Sequence, residues 1–144
     1  MKAEFIDDDN FIIYYLSDDK FRTENEIKLF FKLLNSELKH KYNYEFHGFY
    51  DVNIFCSDKL YVLEFNNIDD YGRIDFDITM LLNTVLLYEF EDEEIFKGEK
   101  IYYQDKFYIE IDNVINDIHL FEYGNIIYGK QVDEILNNGI LVNI

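Results

Sequence analysis

Catalysis needs side chains that attack, bind metal or exchange protons beside a second group that tunes them, and this sequence spaces few such groups usefully. His40 and His47 stand seven positions apart without cysteine or glutamate at zinc-ligand spacing, and His119 stands alone, so the histidines compose no metal motif. Cys56 ends a stretch of strand character and precedes Ser57-Asp58; the acidic surroundings raise a thiol pKa, which makes it a small core residue and not a nucleophile. Asp75 and Asp77 are the most site-like pair, because positions i and i+2 of a strand project to one face, where two carboxylates would hold Mg²⁺ or divide acid and base roles. No glycine loop for phosphate accompanies them, and Arg22 and Arg73 are the only arginines. The acidic runs Asp7–Asp9 and Glu91–Glu94 lack EF-hand spacing and read as solvated loops. The sequence therefore assigns no catalytic residue, no metal and no cofactor.

The elements that must position these residues are clearer. A strand or strand pair is expected over Glu4–Leu16, broken at Asp7-Asp8-Asp9-Asn10 and continuing as the apolar run Phe11–Leu16. The strongest helix follows: Thr23 as N-cap, Glu26 completing a capping box, then Ile27, Phe30, Phe31, Leu34 and Leu38 at i, i+3, i+4, i+7 and i+11. Lys28, Lys32, Lys39 and Lys41 fall on its other faces, the last two near the negative end of the helix dipole. A hairpin is expected from Phe49–Cys56 and Leu60–Phe65, with Tyr50, Val52, Ile54 and Cys56 on one face and a second arm buried on both sides.

Gly72, within Asn66–Arg73, is the best boundary in the chain. Beyond it Ile74–Asp77 alternates apolar and acidic residues as a strand does, whereas residues 78–90 fit helix at Met80-Leu81-Leu82 and strand at Thr84–Phe90. Gly98 breaks the chain before a second hairpin, Lys100–Tyr103 with Phe107–Ile111, in which Tyr108 and Glu110 oppose Phe107, Ile109 and Ile111. Asn113 caps a short helical segment through His119; Gly124 and Gly129 follow, then a helix over Gln131–Asn137 stopped by Gly139 in the C′ role, and a last strand over Ile140–Ile144. The expected class is α+β: a mixed or antiparallel sheet built from hairpins, one main amphipathic helix and a short C-terminal helix. Residues 1–144 are expected to form a single compact domain, with subdomains 1–72 and 73–144 as the alternative division.

Composition limits the partners. The 144 residues carry 13 basic and 30 acidic side chains, a formal charge of −17, and 19% are aromatic. Such apolar and aromatic content excludes a disordered polyanion, and a chain of this length buries roughly 68–70% of its unfolded surface without metal or disulfide support. The charge is spread: residues 1–72 hold 8 basic and 15 acidic side chains (net −7), residues 73–144 hold 5 and 15 (net −10). A field of that sign repels phosphate backbones and anionic lipid, so neither direct nucleic-acid binding nor a membrane surface is expected, and a protein partner with a basic surface is. The lone cysteine and the missing signal-peptide pattern make a cytoplasmic address the default expectation. No proline occurs where average usage predicts about seven, and with abundant Ile, Asn, Lys, Tyr and Phe this suggests an AT-rich, bacterial coding genome.

Short stretches carry a family resemblance. Met1-Lys2-Ala3-Glu4 with Phe11–Leu16 and Ser17-Asp18-Asp19 before a helix, the hairpin Tyr50–Phe65, the tyrosine-rich run Lys100–Ile109, Leu120-Phe121-Glu122-Tyr123-Gly124 and Glu134–Gly139 together resemble the MecA-type adaptor proteins of low-GC bacteria. The resemblance implies a pair of small α+β domains and recruitment of a protease-associated unfoldase.

The leading expectation is a non-enzymatic, acidic protein-binding module, an adaptor or inhibitor. Glu91, Asp92, Glu93 and Glu94 would steer a basic partner, and exposed Tyr102, Tyr103 and Tyr108 would supply apolar contact. Phe107, Phe121 and Tyr123 extend the aromatic set; their acidic surroundings favour core or protein contact over base stacking. An immunity-type or nucleic-acid-mimic inhibitor of a nuclease or DNA-binding protein is the alternative, and a small metal-dependent enzyme using Asp75 and Asp77 the second.

Overall fold

One side chain builds the acidic break after Phe5. Asp7 Oδ1 accepts from the backbone N–H groups of Asp9 and Asn10, both at 2.8 Å, and from Asn10 Nδ2 at 2.9 Å. Those hydrogen bonds, the side-chain one from Asn10 first, hold the Asp7 carboxyl below the usual aspartate range. The turn folds β1 (Lys2–Phe5) against β2 (Asn10–Leu16), antiparallel, with Phe5 opposite Phe11. The computed structural model describes residues 1–17, 19–57, 59–81, 84–91, 100–111 and 125–143; among them it is an α+β chain of two helices and ten strands.

Helix α1 (Glu24–Tyr42) buries Ile27, Phe30, Phe31, Leu34 and Leu38, the five residues its periodicity selects. Thr23 caps it as expected, Oγ1 accepting from Glu26 N–H at 3.2 Å. The reciprocal half of the box differs: the Glu26 carboxylate reaches one residue further, to the N–H of Arg22 at 3.3 Å. Asn43 stops the helix in a left-handed conformation (φ 53°), and Lys39, His40 and Lys41 occupy its last turn.

The first hairpin is β3 (Phe49–Ser57) and β4 (Leu60–Asp69), followed by β5 (Asp75–Leu81). These strands with β1 and β2 form a five-stranded sheet ordered β1-β2-β4-β3-β5. Alternation along β3 buries Tyr50, Val52, Ile54 and Cys56, and Leu60–Leu63 of β4 are buried without a break. Phe11 and Phe65 stack at 4.9 Å, 7° from parallel, and Phe65 also meets Phe31 of α1 at 5.2 Å and Phe46 at 5.2 Å. Each such side chain, buried completely, contributes about 1.5–3 kcal/mol.

The second sheet, ordered β10-β7-β8-β6-β9, is antiparallel at every pairing: β6 (Leu87–Phe90), β7 (Lys100–Gln104), β8 (Lys106–Glu110), β9 (Asn125–Ile127) and β10 (Ile140–Asn143). Helix α2 (Lys130–Asn138) places Val132 and Ile135 on Leu87 and Tyr108 of this sheet. Gly139 stops α2 without a left-handed conformation (φ −72°); a Cβ there would press on the Ile135 carbonyl oxygen, so glycine serves close approach and not backbone sign.

The chain divides into two units, Met1–Ile54 with Leu60–Leu81 and Phe55–Lys59 with Leu82–Ile144. The division lies beyond Leu81 and not at Gly72, because β5 continues the first sheet after the glycine. Met80 and Leu81 are strand, which resolves the ambiguity at the start of 78–90, and Leu87–Phe90 is strand as well. Gly98, the Asn113–His119 segment, Phe121, Tyr123 and Gly124 lie outside the described residues. Among the described residues no helix is long and apolar enough to cross a membrane.

Candidate functional site

Register decides which of the expected contact residues can act together. In the second unit Tyr102 stands opposite Tyr108, and Tyr103 opposite Phe107. Alternation therefore sends Tyr102 and Tyr108 to one face and Tyr103 to the other. Tyr102 packs on the cluster of Leu87, Tyr108, Val132 and Ile135 under α2. Tyr108 itself is only 8% exposed, which corrects its expected exposure: a residue between a sheet and an amphipathic helix is wall, not contact surface. Tyr103 is 42% exposed and rests on the Phe107 ring at 5.2 Å. Glu91 is exposed one residue past β6; Asp92, Glu93 and Glu94 lie outside the described residues.

Tyr108 is the wall of a groove between the β7–β8 turn and α2, with a volume of about 390 Å³. The turn is tight: Gln104 pairs with Lys106, and Asp105 between them takes φ 64°, a conformation aspartate tolerates better than most residues. Ile127 and Ile135 make the apolar floor, while Glu89, Asp105 and Glu134 bring three carboxylates to it and Lys106 one ammonium. That ammonium is spoken for, Lys106 Nζ lying 3.2 Å from Glu89 Oε1, whose side chain is 15% exposed. Among the described residues, Asp105 and Glu134 have no cationic partner. The Tyr108 phenol is pushed above its ordinary pKa, first by burial, then by Glu89 and Asp105, so it stays a neutral hydroxyl. Chemically the groove accepts hydrogen bonds and positive charge over an apolar base.

Sequence reasoning missed Glu89, Asp105, Lys106 and Glu134 as a set. Its one available signal was that Glu89 shares strand parity with Leu87, the residue α2 covers; Glu134 depends on where α2 docks.

The other candidates are placed as follows. Asp75 and Asp77 share the exposed face of β5, but Lys28 Nζ lies 3.2 Å from Asp75 Oδ1 and bridges it to Glu24, also at 3.2 Å. The N–H of Phe76 and then Lys28 hold the Asp75 carboxyl low. His47 Nδ1 lies 3.2 Å from Asp70 Oδ1, His40 is exposed in the last turn of α1, and His119 lies outside the described residues. Cys56 is 6% exposed. Among the described residues no three His, Cys, Asp or Glu side chains converge as a metal site, and no charged side chain is buried. No family model, curated protein or solved structure matches the chain.

Proposed function

We propose that the chain is a non-enzymatic protein-binding module that receives a basic side chain of a partner protein in the groove between the β7–β8 turn and α2. The observation that carries this reading is the pair of carboxylates, Asp105 and Glu134, set beside an apolar floor without cationic partners among the described residues. The Lys106–Glu89 contact supports it further, since an ammonium already rests against a carboxylate of the same groove. A guanidinium or ammonium from outside would find the same chemistry with its alkyl stem on Ile127 and Ile135. The net charge of −17 would steer such a partner from a distance. The resemblance of Lys100–Ile109 and Glu134–Gly139 to MecA-type adaptors points to the same class, an adaptor or inhibitor in the cytoplasm.

Calorimetric titration with arginine- and lysine-bearing peptides at low and high salt tests the proposal. Saturable binding that weakens with salt, and that weakens about tenfold when Asp105→Asn and Glu134→Gln are combined, is the expected result. Binding indifferent to salt and to both substitutions would refute it.

A further inference from the structure

The first unit holds a second concavity, of about 280 Å³, between α1 and the start of β5. Its base is aromatic: Phe31 meets Phe76 edge-on at 4.7 Å, and Phe46 meets Phe76 edge-on at 5.1 Å. Its rim is polar, supplied by Lys28, Lys32, Asn35 and Asp75. Two of those four are already engaged, Lys28 with Glu24 and Asp75. Asn35 is half engaged in a way that fixes its orientation: Oδ1 accepts from Phe46 N–H at 2.9 Å, so its amide nitrogen is the end left over. Lys32, exposed one turn after Lys28, has no carboxylate partner among the described residues, although acids outnumber bases 30 to 13 in the chain. The rim thus keeps two spare donors, Lys32 Nζ and Asn35 Nδ2, three positions apart on one helix and therefore neighbours.

We propose that this cavity binds a small aromatic carboxylate. The carboxylate takes the Lys32 ammonium and the Asn35 amide, and the ring lies in the aromatic base formed by Phe31, Phe46 and Phe76. Size sets the class: 280 Å³ equals about nine waters of liquid volume, which suits one substituted ring of roughly ten non-hydrogen atoms and excludes a nucleotide. A carboxylate is preferred to a neutral ligand because the spare donors include a full charge, and the rim's one carboxylate, Asp75, is already paired with the Lys28 ammonium. The site is separate from the groove proposed for a protein partner and stands or falls without it.

The test is an amide NMR titration of the full chain with 3-phenylpropionate to about 10 mM, a range that captures weak fragment-like affinity. Saturable shifts centred on Phe31, Lys32, Asn35, Phe46 and Phe76 are expected. Lys32→Met should weaken binding about tenfold, the loss of one charge-assisted hydrogen bond. Asn35→Asp is the sharper variant: it keeps the acceptor for Phe46 N–H, hence the fold, but sets a negative charge against the ligand and should abolish binding. Equal affinity for 3-phenylpropanol, indifference to both substitutions, or no saturable shift at these residues would each overturn the proposal.

Discussion

Lys28 Nζ stands 3.2 Å from Asp75 Oδ1 and ties α1 to the first residue of β5 across 47 positions of sequence. The contact also sets apart the two members of the most site-like carboxylate pair in the sequence. Strand alternation sets Asp75 and Asp77 on the same face, yet an ammonium from a different element claims only the first.

Replacing Lys28 with methionine should lower the melting temperature slightly at low salt, and the difference from the parent should vanish near 1 M salt, because both partners are solvent-exposed. The pH dependence has a definite sign. Asp75 titrates lower in the folded chain than in the unfolded one, so its contribution is complete above the ordinary aspartate pKa and is lost as pH falls through the folded value. Melting curves from neutral to strongly acidic pH should therefore converge for the parent and Asp75→Asn at the acidic end. Persistence of the gap there would mean that the charge of Asp75 does not matter.

Gly48 and Gly72 both adopt positive φ, +77° and +90°, but their surroundings differ. A Cβ on Gly48 would run into the carbonyl oxygen of Asp69, whereas one on Gly72 would meet nothing within 4 Å. Gly72→Ala should cost the backbone penalty alone, about 1–2 kcal/mol. Gly48→Ala must add the displacement of β4's last residue, for a total on the order of 4 kcal/mol or more. Urea denaturation of the two variants checks the order, and equal losses would contradict it.

Tyr50 is fully buried, and its hydroxyl serves two neighbours: it accepts from His47 N–H at 2.9 Å and shares a hydrogen bond with the Tyr44 hydroxyl at 2.8 Å. Tyr50→Phe keeps the ring and strands both, so a loss of about 1–3 kcal/mol is expected in denaturant melts. Burial, then the Tyr50 hydroxyl, drives the Tyr44 pKa far above that of an ordinary phenol. Its stabilisation is complete below the ordinary phenol pKa and is lost as pH rises through that range toward the folded value. In an alkaline absorbance titration, Tyr44 and the similarly raised Tyr14 should ionise only when the fold opens.

Helix α1 was legible because two independent signals, the Thr23 cap and the five-residue apolar stripe, agree on one register. The first hairpin was legible because strand parity survives along β3, and the second because the polar Gln104-Asp105-Lys106 turn separates two short aromatic-rich runs. Parity failed at the end of β5, where the inward series Phe76, Ile78, Met80 is followed by Leu81, 41% exposed: an apolar residue on the outer face of an edge strand erases the alternation that would have extended the strand. The division after Leu81 was hidden for the same reason. The groove was illegible on other grounds, since Glu89, Asp105 and Glu134 meet only through the β6–β8 register and the docking of α2 on Tyr108. Those are tertiary facts with no local sequence signature.

The split between Tyr102 and Tyr103 gives a test that separates packing from recognition. Tyr102 belongs to the cluster beneath α2, with Leu87, Val132 and Ile135. Tyr102→Ala should therefore destabilise the second unit by about 2–4 kcal/mol, near the lower end of the range for buried aromatics because its ring is only partly covered. Tyr103 rests on Phe107 across the opposite face, 42% exposed, so Tyr103→Ala should cost about 1 kcal/mol or less. If the groove is the recognition site, Tyr103→Ala should leave the affinity for basic peptides unchanged, while Glu134→Gln should reduce it with little change in stability. A large affinity loss in Tyr103→Ala, with Glu134→Gln silent, would move recognition to the face that carries Tyr103 and its cross-strand neighbour Ile140, 64% exposed. Denaturant melts and calorimetry on the same three variants distinguish these outcomes, because the two faces of one strand cannot exchange roles without a slip in register.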